Sequence, residues 1–404
     1  MRVTVVRPAE LGPSEATLWA EFQQRSPITV NPFLSFTFAQ AAGRARSNAR
    51  VAVIEDGGKI VAFLPFERDA LAMGVPIGHP MNDLHGFIES DAPFDARLVV
   101  RKAGLRGWRF DHAPAEQQAL APFHYEGATV QAPVMDLRRG YDFYLGSCSK
   151  NFRQTAGRKR RNLERELGPL SIRWDGPDPK AELQQLIDQK SSKYNGTRVL
   201  FSDPTALRIV EELVTVDNPD CRGFLIVVYG GERPIARLMG THAHGILNPW
   251  FASYDQDLSR FSPGITMYLA LAAEGISRGF DVIDLCSGQD LYKFHLANDS
   301  YPVATGAVWV SRAESSARKM YRRFRRDTPA NERLPGWVRS RIGIPKVPDD
   351  SQQGRGRGPG TVTAHQAPDD GACLNSYSGR RLFLYTLGGY SNVALNEASK
   401  SLAR

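Results

Sequence analysis

One order of elements occurs twice along this chain, and that echo restricts the fold more than any single motif does. ARVAVIEDGGKIVAFLPFERD (49–69) sets two runs rich in Val, Ile and Phe about Asp56-Gly57-Gly58. It reads as a hairpin around a tight Asp-Gly turn. GFLIVVYGGERPIARLMGTHAHG (223–245) repeats the pattern around Gly230-Gly231. Two helix-like stretches precede each hairpin: Ser14 to Arg25 and Ser35 to Arg46 before the first, Pro179 to Tyr194 and Pro204 to Val216 before the second. A fold unit present twice accounts for this order; two hairpins alike by chance is the competing account.

At 404 residues the chain exceeds one ordinary core and suits two domains with an extension. The expected boundaries are 1–139, 140–312, a basic helical extension at 313–347 and a tail at 348–404. Further strand-like pieces in the first part are RVTVV, HGFIES and WRFDHAP, and APVMDL near Met135 reads as an edge strand leading into a linker. The second part opens near Tyr141 and runs into a basic helix, with Ser149 as its cap and Gly168 as its end. The Lys/Arg-rich stretch of that helix, Arg153 to Arg165, either grips phosphates or is a solvated face laced with Glu164 and Glu166.

The formal net charge of +8 is concentrated in one place. Between Arg312 and Arg341 ten Lys/Arg stand against Glu314, Asp327 and Glu332, a net of +7. The two expected domains are therefore close to neutral together, which argues against a general nucleic-acid binder. The extension mixes its arginines with Met320, Tyr321, Phe324 and Trp337, a composition that suits an anionic membrane surface at 313–341 or a helix packed on the second domain. From Pro348 to Asp370 apolar residues are nearly absent, and the segment reads as disordered. Cys148, Cys221, Cys286 and Cys373 lack the short spacings of a zinc or redox motif, so no metal is expected and each thiol reads as a small buried hydrophobe, with a nucleophile as the alternative. No basic stretch followed by an apolar run opens the chain, and no segment approaches about 18 uninterrupted apolar residues. A cytoplasmic protein is expected, at most peripheral at the inner face of the membrane.

The stretch WFASYDQDLSRFSPGITMYLALAAEGISRGFDVIDLCSGQDLYKFHLA (250–297) carries the chemistry. It reads as a strand, a polar loop, a helix opened by Ser262-Pro263-Gly264 with Ser262 as cap, a buried strand, a Gly turn and Tyr292-Lys293. A helix mouth of this kind leaves backbone N–H groups pointing outward, where they can hold a pyrophosphate, although Ser-Pro-Gly also serves as a plain helix start.

In order and at compact spacing, Tyr254-Asp255, Ser262-Pro263-Gly264, Phe280-Asp281 with Asp284, Gly288 and Tyr292-Lys293 resemble the acetyltransferase domain of the GNAT superfamily. The form is that of cellulose- and exopolysaccharide-biosynthesis proteins (CelD-like), relatives of the FemAB ligases. The resemblance covers residues 140–312 well and 1–140 more loosely. It implies an α/β (α+β) fold of two tandem GNAT-like domains, each a mixed twisted sheet flanked by helices. It also implies an acyl-CoA donor held at Phe261, Ser262, Pro263, Gly264 and Ile265. The Gln/Arg-x-x-Gly-x-Gly/Ala loop of many single-domain members is missing, which leaves an acyl carrier protein or aminoacyl-tRNA open as donor.

Direct attack of an amine on a thioester needs a base and oxyanion stabilisation. Asp255, Asp284 and His242 are the candidate bases, with a loop cap, a strand-end turn acceptor and a plain hairpin histidine as their structural alternatives. Tyr292 is a candidate proton donor to the leaving thiolate, and Lys293 a candidate oxyanion or phosphate ligand. The resulting expectation is an acyl-CoA-dependent N-acyltransferase acting on an amine or hydroxyl of a sugar-derived acceptor in cell-envelope or exopolysaccharide biosynthesis. A FemAB-like ligase using aminoacyl-tRNA and a non-catalytic component of a polysaccharide system are the alternatives.

Overall fold

The computed structural model describes residues 1–311 apart from 177, 194 and 289, together with the isolated positions 313 and 316. The extension, the tail and Cys373 therefore lie outside the described residues, as does nearly all of the membrane-contact segment expected at 313–341. Residues Met1–Val308 pack as one compact unit.

The chain begins with β1 (Arg2–Val6), α1 (Pro13–Gln23), α2 (Phe36–Ala45), β2 (Ala49–Asp56), β3 (Lys59–Arg68) and β4 (Met73–Pro76). β5 (Ile88–Glu89), α3 (Ala96–Lys102), β6 (Gly107–Pro114) and the long β7 (His124–Asp136) follow. The second half comprises α4 (Tyr141–Ser147), α5 (Lys150–Leu167), β8 (Leu170–Trp174), α6 (Pro179–Lys193), α7 (Asn195–Phe201) and α8 (Pro204–Leu213). It continues with β9 (Asp217–Asn218), β10 (Cys221–Gly230), β11 (Arg233–Ala243), β12 (Ile246–Tyr254), α9 (Pro263–Gly275), β13 (Val282–Asp284), α10 (Leu291–Leu296) and β14 (Asp299–Trp309).

The strands form one sheet in the order β1-β2-β3-β4-β6-β14-β7-β13-β12-β11-β10-β8, with β5 on β3 and β9 on β10. The internal echo thus becomes a repeated topology. Antiparallel β1-β2-β3-β4 matches β8-β10-β11-β12, and each run ends in a helical crossover to a parallel neighbour, α3 leading to β6 and α9 to β13. Each half then lends its last strand across the middle: β7 pairs with β13, and β14 pairs with β7. The stretch around Met135, expected at an edge, therefore lies inside the sheet, because pairing on both sides satisfies backbone groups that an edge would leave exposed. The boundary expected at 139/140 falls in the turn between β7 and α4, and the sheet passes through it without a break.

Local chemistry explains the elements. Gly57 and Gly58 both take positive φ (56° and 78°), as the two-residue turn between β2 and β3 requires. The second hairpin turns at Gly231-Glu232, one residue beyond the expected Gly230-Gly231. Only glycine fits at Gly231, since a Cβ there would fall 2.2 Å from the Leu167 carbonyl oxygen. Ser149 caps α5 by accepting the Phe152 amide, and Asp203 caps α8 through the Thr205 amide. Two apolar clusters cover the two faces of the sheet. The face under α2, α6 and α8 contains Phe33, Phe38, Leu225, Met239, Trp250 and Cys286; the opposite face, under α5 and α9, contains Phe224, Leu238, Leu247, Met267, Leu271 and Phe280. Trp250 ties the halves together: its ring meets Phe33 at 5.3 Å, and its indole N–H donates to the Met81 carbonyl (3.0 Å).

Candidate active site

β12 and β13 run parallel for only two pairs, Ile246↔Val282 and Leu247↔Ile283, and then part. Beyond that point β12 bulges, with Phe251 opposite Met239 and Pro249 opposite Gly240, so that Trp250 is the extra residue. A cluster of buried polar groups gathers where the strands separate.

Asp284 ends β13 and is 3% exposed. One carboxylate oxygen accepts from Asn31 Nδ2 (2.9 Å) and the Tyr301 hydroxyl (2.7 Å), and the other accepts the Cys286 backbone N–H (2.8 Å). Burial pushes its carboxyl above the usual range, against the pull of Tyr301, the Cys286 amide, Lys293 and Asn31. Burial and the neighbouring Asp284 raise the Tyr301 hydroxyl as well. Lys293 is 5% exposed, with its ammonium near the carbonyls of Cys286 (3.5 Å) and Ser287 (3.4 Å). Gly288 makes the room, since a Cβ there would stand 2.9 Å from Nζ. Cys286 holds a positive φ of 56°, and burial, Asp284 and Asp83 drive its thiol well up, so it sits there as a neutral thiol. Asn248 donates to that sulfur at 3.6 Å, while its own Oδ1, Thr241 Oγ1 and Ser287 Oγ are buried without hydrogen-bond partners among the described residues. Together these groups present a carboxylate that can take a proton, a cation and free acceptors in a desolvated space.

The start of α9 lies on the other face of the sheet. Its first-turn N–H groups at Gly264 and Ile265 have no acceptor within the helix, and Pro263 has none to offer. Ser262 takes φ 52° and does not cap the helix with its side chain; instead its hydroxyl accepts from Lys159 of α5 (3.0 Å). Phe261 is buried beneath Arg260, whose guanidinium lies 4.5 Å from the ring. A basic side chain thus stands beside free helix N–H groups, an arrangement suited to phosphate.

The other expected residues are dispersed. Asp255 sits at the far end of β12, roughly 20 Å from Asn248 at the rise of an extended strand. Both of its oxygens are engaged, one by the Asp257 amide and one by the Arg233 guanidinium (2.6 Å), which makes it a loop cap. His242 is not brought to Asp284: neighbouring residues of β11 alternate sides, and His242 packs against Phe280 (5.0 Å) on the α9 face while Thr241 faces the cluster. Burial lowers its imidazole, as expected for a packed histidine. Tyr292 packs beside Tyr268 (5.8 Å) on the α9 face, and burial raises its hydroxyl. Sequence reasoning missed Asn31, Asn248 and Tyr301. Asn31 and Asp284 are 253 residues apart, a separation over which no spacing rule operates. Cys148, Cys221 and Cys286 are buried free thiols, as expected, and no cluster of three or more potential metal ligands occurs among the described residues. No described helix is long and apolar enough to cross a membrane.

Residues 150–294 match the acetyltransferase (GNAT) domain family. No curated protein matches the sequence. Solved structures similar to this chain include FemX, at 9% identity and a TM-score of 0.49, covering 79% of this chain and 100% of that one. A tandem GNAT protein from the clavulanic acid biosynthesis pathway aligns at 9% identity and a TM-score of 0.46, over 77% and 98% of the two chains. The C-terminal domain of a putative lysylphosphatidylglycerol synthetase from Agrobacterium fabrum aligns at 10% identity and a TM-score of 0.46, over 76% and 94%.

Proposed function

We propose that this protein transfers an acyl group from an acyl-CoA thioester to an amine of a polar, sugar-derived acceptor, with the reaction centred on Asp284. The observation that supports this reading is the buried Asp284 carboxylate, raised by its surroundings and placed beside Lys293 where β12 and β13 separate, inside an acetyltransferase (GNAT) domain. The Gly264 and Ile265 amides and Lys159 would take the donor's pyrophosphate, on the opposite face from the acceptor. As the acceptor nitrogen attacks the thioester carbonyl, its proton passes to Asp284 and the carbonyl oxygen gains charge that Lys293 offsets. The C–S bond then breaks, and the leaving sulfur takes a proton from Tyr292. Asp255 and His242 have no part in this scheme.

The test is thiol release by the purified protein across acetyl to long-chain CoA donors, with and without amino sugars, repeated with Lys293→Ala. Release that requires an acceptor and falls at least about a hundredfold in the variant supports the reading. Undiminished release by a folded Lys293→Ala protein, or acceptor modification with charged tRNA and none with thioesters, removes it.

A further inference from the structure

α10 is inverted relative to an ordinary surface helix. Its lysine, Lys293, and Leu296 face the interior, while Leu291 is 65% and Phe294 52% exposed. These two stand three residues apart and therefore share one outward face. The helix adjoins two others: the Phe152 ring of α5 stacks on His295 at 6.0 Å, and the Tyr144 hydroxyl of α4 donates to the Leu296 carbonyl (2.8 Å). On α4, Phe143 is 43% exposed with the Arg139 guanidinium 3.5 Å over its ring. α5 turns Lys150, Arg153, Arg158, Arg160, Arg161 and Arg165 to solvent, and of these only Arg160 has an ion-pair partner among the described residues, Glu164.

From this juxtaposition we propose that α4, α5 and α10 form a docking surface for an anionic lipid bilayer. Leu291, Phe294 and Phe143 would enter the acyl boundary, and the α5 arginines would lie among the headgroup phosphates. Nucleic acid would answer the charge but leave the outward leucine and phenylalanine without a partner. A bilayer answers both, because exposed aromatic and aliphatic side chains beside an arginine row combine apolar burial with attraction to anionic headgroups. The assignment goes beyond the acyl-transfer reading and is measured without turnover.

The experiment is co-sedimentation of the full chain with vesicles of phosphatidylglycerol and phosphatidylcholine, against vesicles of phosphatidylcholine alone. The wild-type protein is expected to sediment with the anionic vesicles only and to be released by salt. Leu291→Ser with Phe294→Ser, and separately Arg153→Glu with Arg161→Glu, are each expected to weaken partition about tenfold or more. All four positions are exposed, and unchanged thermal unfolding would confirm that each variant is folded. Failure to sediment with anionic vesicles overturns the proposal. So does partition that ignores the Leu291/Phe294 change, or binding of a short RNA duplex through the same arginines in place of vesicles.

Discussion

The two halves make the same opening and treat it differently. In the first half β4 and β6 run parallel for two pairs, Met73↔Gly107 and Gly74↔Trp108, before parting, as β12 and β13 do in the second. In the first half the gap is closed from within. The segment 77–87 folds back so that the His85 N–H donates to the His112 carbonyl (3.3 Å), and His85 Nε2 accepts the amides of Asp111 (3.1 Å) and His112 (3.2 Å). Gln117 locks the segment by bonding both backbone groups of Phe87. The second half has no such returning segment: β12 passes through the turn Gln256–Phe261 directly into α9. The carboxylates show the consequence. Burial pushes Asp111 upward, but the neighbouring histidines, His112 foremost, outweigh it and hold that carboxyl below its usual range. At Asp284 burial prevails over its hydrogen bonds and Lys293. The first-half carboxylate is held among histidines of its own half, whereas the second-half carboxylate, raised by burial beside Lys293, is the one the proposed scheme uses to take a proton.

The largest effects should separate these roles completely. Asp284→Asn keeps the shape but cannot accept a proton, and is expected to lower kcat/KM by about a hundredfold to ten-thousandfold in protein that still folds. Some stability should be lost, because its NH2 must face one of the donors that the carboxylate accepts. His85→Ala leaves the buried amides of Asp111 and His112 without an acceptor, and is expected to cost about 2–4 kcal/mol in urea unfolding while the folded fraction keeps its kcat. If His85→Ala abolishes turnover in folded protein, the first half is not merely structural and the comparison fails.

Much of the fold was legible in the sequence, and the reason it stops where it does is physical. Local rules found α1, α2, α5, α6, α8, α9 and both hairpins, because caps, glycines and apolar periodicity act over a few residues. The family resemblance singled out Asp284 and Lys293, which flank a glycine turn and come together in the fold. Local rules misplaced β7, because a strand lent across the middle of a sheet has no local mark distinguishing it from an edge. Side-chain chemistry grouped His242 with Asp284 as candidate bases, but it says nothing of which sheet face a residue occupies. Asn31 and Tyr301 reach Asp284 only through the assembled core.

The pH dependence sharpens the comparison at a smaller scale. In the proposed scheme Asp284 takes a proton only when ionised, and burial raises its carboxyl, so the acid limb of kcat/KM should lie above the ordinary carboxylate range. Stability moves the opposite way. The fold favours the protonated form, so this contribution is fully present below the ordinary Asp value of 3.8 and is lost as pH rises through the folded value. Asp284→Asn should lack that loss, so its unfolding free energy relative to wild type should improve with rising pH. An acid limb at ordinary carboxylate pH would place catalysis on another group.

Asn31 supplies the finest test, because it belongs to the first half and serves the second. Its Oδ1 accepts the Phe33 amide (3.0 Å), which caps the turn Pro32–Leu34 and fixes the orientation of the amide group. Nδ2 is thereby presented to Asp284, where it favours the charged carboxylate. Asn31→Ala should therefore raise the acid limb further and reduce kcat about tenfold, with KM for the donor unchanged, since the α9 mouth is untouched. It should also cost about 1 kcal/mol through the lost cap. Asn31→Asp keeps the cap but sets a second buried carboxylate against Asp284, so it should shift the limb upward more than alanine does, at a cost in stability that grows as pH rises. A limb that stays put in both variants, with only stability changed, would reduce Asn31 to a cap and leave each half to its own chemistry.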